Sequence, residues 1–78
     1  MKKKGSSKRE VFLRKVGRNI REARKAKGLS QESLALEAGL DRSYVGGVER
    51  GERNIAVLNL ARIAKALGIP VSSLVRSL

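Results

Sequence analysis

Residues 42–54, RSYVGGVERGERN, gather the side chains best suited to chemistry. Arg42, Ser43 and Tyr44 stand at one end, Arg50, Arg53 and Asn54 at the other, and Gly46 and Gly47 lie between. Guanidinium, hydroxyl, phenol and amide groups donate hydrogen bonds, and the arginines add positive charge. The chain has no histidine and no cysteine. The commonest general base, the commonest metal ligand and every thiolate or disulfide site are therefore missing. The remaining enzyme chemistry is that of a carboxylate or a serine, and no such residues cluster around a pocket motif. No catalytic residue, cofactor or metal is expected.

The elements that position these groups must fit a chain of 78 residues, which is one small domain. Eighteen Lys and Arg against seven Asp and Glu give a net charge of +11. Such a balance predicts a polyanionic partner, since neutralising phosphates releases their counterions. The absence of cysteine fits a reducing, cytoplasmic interior. No apolar run reaches the ~18–20 residues that a bilayer span requires. Residues 1–9, MKKKGSSKR, carry five positive charges and no apolar residue after Met1. They read as a disordered basic arm, either lying on nucleic acid or serving as a solubilising tail. Residues 10–78 form the domain.

From Glu10 to Lys27, Leu13, Val16, Ile20 and Ala23 recur at helical steps, and Gly28 ends the pattern. Ser30 caps a second helix whose apolar face is Leu34, Ala35 and Ala38. Gly39 breaks it, and Leu40 turns inward. Asp41 is placed to cap a third helix over 42–50, closed by Gly51. A fourth helix covers 57–67, with Val57, Leu60, Ile63, Ala64 and Leu67 inward; Ala56 offers no cap at its start. After Gly68, PVSSLVRSL reads as a short fifth helix with Pro70 near its beginning.

Residues 31–50, QESLALEAGLDRSYVGGVER, resemble the helix-turn-helix of the Cro/repressor-like (XRE) family. Ala35 stands where the two helices cross, Gly39 stands in the turn, and Leu34, Ala38, Leu40, Val45 and Val48 occupy core positions. GRNIREARKAKGLSQ is similar to that family's first helix, and NLARIAKALGI to its fourth. The resemblance covers roughly residues 16–75. It implies an all-α, compact five-helix, lambda repressor-like DNA-binding fold. It also implies that Glu49 pairs with Arg24 and is structural. A narrower likeness, carried by LDRSYVGGVERGERN, is to the controller proteins of restriction–modification systems. Ala56 departs from it, because that group usually carries Ser or Thr there.

At 100° per residue, Val45 and Val48 define the buried side of the third helix. Ser43, Gly46, Gly47 and Arg50 then fall opposite. If that side faces DNA, Arg42, Ser43, Tyr44, Gly46 and Gly47 form the base-reading surface. The glycines would let the backbone approach a groove wall; the alternatives are a bend, or close packing on another helix. Arg42 suits the O6 and N7 of guanine, or equally a phosphate oxygen. Tyr44 either reaches a phosphate or packs its ring. Gln31, Arg50, Arg53 and Asn54 are placed to grip phosphates.

Ile69, Val71, Leu74, Val75 and Leu78 are too many apolar residues for a short surface helix. Some cover the core, and the rest, with Leu58, are the expected homodimer interface. The expectation is a sequence-specific duplex-DNA-binding regulator, a homodimer on an inverted repeat. The alternative is an antitoxin-type protein that binds a toxin and regulates its own operon. Non-specific RNA binding lacks the aromatic platforms it needs, since Phe12 and Tyr44 are the only aromatics.

Overall fold

Ser7 and Glu10 start the first helix by a reciprocal cap. The Glu10 backbone N–H donates to the Ser7 hydroxyl at 3.1 Å, and the Ser7 N–H donates to the Glu10 carboxylate at 3.0 Å. Helix α1 therefore runs Lys8–Ala26, beginning two residues earlier than its apolar periodicity predicts. In the computed structural model, residues 7–76 are described; residues 1–6, which make up most of the expected basic arm, and residues 77–78, Leu78 among them, lie outside. The remaining elements are α2 (Gln31–Ala38), α3 (Arg42–Glu49), α4 (Val57–Leu67) and a 3-10 turn, Val71–Ser73.

The core is drawn from the residues expected to face inward, although Leu13, Ala23, Leu40 and Leu60 are only half-buried. Val16, Ile20, Leu34, Ala35, Ala38, Val45, Val48, Ile63, Ala64 and Leu67 are buried, and Leu74 joins them with no exposure at all. Each large aliphatic side chain so buried contributes about 1.5–3 kcal/mol. Helices α2 and α3 meet across the turn at Gly39, whose φ of +71° lies in the left-handed region that a side chain disfavours. Ser30 caps α2 by accepting from the Ser33 N–H at 3.0 Å. Asp41 stands at the N-cap of α3, but its carboxylate accepts from the Ser43 hydroxyl at 3.1 Å and makes no capping bond to the backbone.

Three expectations need correction. The fifth helix is a single 3-10 turn. Asn19 of α1 donates from its side-chain nitrogen to the carbonyls of Leu74 and Arg76, at 3.0 and 3.1 Å. That bond pair ties the carbonyls at the end of the turn to α1. Leu74 is consequently a core residue and not part of a free interface. Val57 points outward, 82% exposed, because the first turn of α4 lies outside the core that Ile63, Ala64 and Leu67 fill.

Candidate nucleic-acid interface

Helix α3 is a weak helix by composition, eight residues with two central glycines. Tertiary contacts hold it. Val45 and Val48 sink into the core on one side. At its end, Glu49 forms a bidentate pair with Arg24 of α1, Nε to Oε2 at 2.7 Å and Nη2 to Oε1 at 3.1 Å. The Gln31 amide of α2 donates to the same Oε1 at 2.9 Å, and Arg24 Nη1 donates to the Leu29 carbonyl at 2.9 Å. The two charged side chains are only 10% and 2% exposed. One buried, hydrogen-bonded set thus ties α1, α2 and α3 together, with no orphaned polar atom among the described residues.

Gly17 adds a contact that periodicity alone does not reveal. A Cβ there would lie 2.6 Å from the Glu49 carbonyl oxygen and would overlap the Val48 carbonyl oxygen. Glycine is what lets α1 touch the α3 backbone. Its one sequence signal is a glycine inside an otherwise helical pattern.

The expected reading residues fall into two groups. Arg42 is exposed at the first turn of α3, and Ser43 beside it is exposed with its hydroxyl on Asp41. Tyr44 is half-buried against the core. Its hydroxyl donates to the Asn54 carbonyl at 3.4 Å and accepts from the Asn59 amide at 3.2 Å. Of the two readings of Tyr44, ring packing is the one seen in the free chain. Asn59 gave no sequence signal. The Arg53 guanidinium carbon lies 5.2 Å from the Tyr44 ring centroid, within cation–π range.

Gly46 and Gly47 are buried, which corrects the picture of a bare, low surface. A Cβ on Gly46 would meet Arg50 Nη1 at 3.2 Å and Gln31 Oε1 at 3.4 Å; one on Gly47 would meet Arg53 Cγ at 2.6 Å. The glycines form a trough, and the long side chains of Gln31, Arg50 and Arg53 lie over it. Arg50 also pairs with Glu52 at 3.1 Å, with both side chains well exposed. Four of the expected contact residues, Gln31, Arg50, Arg53 and Asn54, are thus gathered around α3, though Gln31 has an internal partner. Of the expected interface residues, Leu58 is 61% exposed, Val71 is exposed, and Ile69 and Val75 are half-buried.

Residues 20–74 match the helix-turn-helix family HTH_3. The chain belongs to that family of DNA-binding transcriptional regulators. Within it, the chain is similar to control protein C.MunI of a Mycoplasma species, 43% identical over 61 residues, which are 77% of this chain and 82% of that one. Its fold is similar to the crystal structure of the restriction–modification controller C.AhdI from Aeromonas hydrophila. There the TM-score is 0.81 and the identity 56%, covering 82% of this chain and 97% of that one. It is also similar to the controller C.Esp1396I, solved as a tetramer in complex with its natural 35 base-pair operator. That match has a TM-score of 0.72 and 41% identity, covering 76% of this chain and 78% of that one. Among its described residues, this helix-turn-helix chain has four α-helices and a 3-10 turn where five helices were expected. Among its described residues, no helix is long and apolar enough to cross a membrane.

Proposed function

We propose that this regulator is the controller of a restriction–modification operon, binding an inverted-repeat operator as a homodimer in the cytoplasm and lying on the nucleoid when bound. The observation that carries the reading is the pose of α3. One side is locked to the core and to the Arg24–Glu49–Gln31 set, while Arg42 and Ser43 project from the other end without a backbone cap. The similarity to C.MunI, C.AhdI and C.Esp1396I supports a controller over the antitoxin alternative.

Arg42 reads a guanine edge in the major groove, assisted by Ser43. Gly46 and Gly47 form the trough, from which Arg50 and Arg53 swing to phosphates with Asn54 beside them, while the Gln31 amide keeps one N–H on Glu49 and offers its second to a phosphate. Tyr44 serves as a wall that holds the Arg53 side chain over the trough. Leu58 and Val71, flanked by Ile69 and Val75, form an isologous interface; Leu78 is assigned to it from sequence alone. The two α3 helices then sit about 34 Å apart, one turn of DNA.

The test is selection of a preferred site from random duplexes, followed by Arg42→Ala. The variant should lose about 1–3 kcal/mol on the selected site at one base-pair position and far less on random duplex. Equal losses on both would remove Arg42 from base reading. No preference by the parent chain at moderate salt would sink the regulator reading itself.

A further inference from the structure

A second cationic feature lies beside the α3 face and has no role in the reading above. Arg14, Lys15, Arg18 and Arg21 of α1 line an open groove of about 400 Å3 with Glu49 and Arg50 from the end of α3. Arg18 and Arg21 are exposed and Lys15 is half-buried. No carboxylate pairs with any of these three among the described residues. The one acidic side chain in the groove, Glu49, is already neutralised by Arg24 and bonded by Gln31. Four cations along eight residues of helix form a row of about 10 Å. One strand of a duplex carries a negative charge per ~3.4 Å of axis, so the row spans a few successive phosphates.

We infer that this groove holds the sugar–phosphate backbone of the bound duplex, making Lys15, Arg18 and Arg21 sequence-independent phosphate contacts that widen the footprint beyond α3. The inference rests on the regulator reading for its occupant. Two features favour a phosphodiester chain over an acidic protein. Arg50 belongs both to the groove and to the C-terminal end of α3, so a strand leaving the α3 face runs into the groove without a break. The only apolar side chain in its lining is Val11, which is half-buried, so the groove offers no pocket for the aromatic or aliphatic anchor that a protein interface centres on.

The test compares R18Q/R21Q with R62Q/K65Q, which removes the same charge from a separate groove lined by α2 and α4. Dissociation constants are measured on the selected operator and on a random duplex of equal length, between about 50 and 200 mM salt. Removing one phosphate-binding side chain should lower the slope of log affinity against log salt by about 0.9, so R18Q/R21Q should lower it by nearly two per protomer. Affinity for operator and random duplex should fall by the same factor, leaving the preference intact. R18K/R21K should restore the slope, and R62Q/K65Q should shift it by less than half as much. Thermal melts check that these exposed substitutions leave the fold in place. A slope in R18Q/R21Q no different from that in R62Q/K65Q overturns the inference, as does a loss confined to the operator. The slope is read on random duplex too, so a parent chain without sequence preference would defeat the regulator reading while leaving the groove assignment to stand or fall separately.

Discussion

Three glycines at helix positions should respond to alanine in three different ways. In Gly17→Ala the new Cβ meets backbone, 2.6 Å from the Glu49 carbonyl oxygen and 2.9 Å from its carbon. Backbone of a packed helix does not yield cheaply, and overpacking of this kind costs about 1–3 kcal/mol or more. The gain in helix propensity is at most about 1 kcal/mol. The displaced atoms also belong to Glu49, so the buried pair with Arg24 is strained as well. A net loss of about 2 kcal/mol lowers Tm by roughly 8–16 °C in a domain of this size. In Gly46→Ala the Cβ meets only the tips of Arg50 and Gln31, at 3.2 and 3.4 Å. Both tips can move, so the propensity gain survives and Tm should hold or rise by up to about 4–8 °C. Gly47→Ala falls between, because it displaces Arg53 from the Tyr44 ring, a contact worth about 0.5–1 kcal/mol at an exposed site. Circular dichroism melts at one fixed protein concentration measure all three, since a dimer's Tm depends on concentration. Gly17→Ala melting with the parent would refute the close α1–α3 crossing. Paired with operator titrations, the same variants ask what the trough is for. If it admits a groove wall, Gly46→Ala loses operator affinity while keeping or gaining stability.

The other expectations are simpler. Arg24→Met leaves the 2%-exposed Glu49 carboxylate with only Gln31 and should cost about 3–5 kcal/mol in urea unfolding, much of it recovered when Glu49 is also replaced by Met. Leu74→Ala should cost about 2–5 kcal/mol by the same assay, as a core truncation. Tyr44→Phe removes a hydroxyl that is already bonded internally. It should lose about 0.5–1.5 kcal/mol of stability and little operator affinity; a tenfold loss of binding at unchanged stability would mean that the hydroxyl turns to a phosphate.

Helix ends and the turn were legible because their signals are local. Ser30 acts through its own side chain and Gly39 and Gly68 through their own backbone, whatever packs nearby, whereas Asp41 stands at its cap position without making the bond. The apolar stripes of α1 and α3 were legible for the same reason. What a helical wheel cannot report is which part of a stripe has a neighbour. Val57 lies on the stripe of α4 and yet faces outward, whereas Leu74, on a segment too short to show a stripe, is the buried residue that closes the core. Nor can the wheel show how far a long side chain from another element reaches. Gly46 and Gly47 do fall opposite Val45 and Val48, but Arg50, Arg53 and Gln31 cover them. The Arg24–Glu49 pair joins residues 25 apart; it came from the likeness to Cro/repressor-type proteins, not from either residue's surroundings in the sequence.

The division of labour within α3 follows from its poor intrinsic stability. An eight-residue helix with two glycines and no side-chain bond to its first backbone N–H groups would not persist alone. Its conformation is imposed through Val45, Val48 and Glu49, which face the core and the ion pair. Arg42 and Ser43 contribute almost nothing to that restraint, since both are exposed and neither bonds outside its own turn. Substitutions there should change stability by no more than about 0.5 kcal/mol, so, on the proposed base-reading role, these two residues can vary while the helix stays in place. Gly46 is different: it shares its space with Gln31, whose amide also bonds Glu49, so a change at the trough reaches the buried pair through a single side chain. Altered specificity at Arg42 should therefore leave the parent's stability in place, whereas bulky residues at Gly46 should lower stability and binding together.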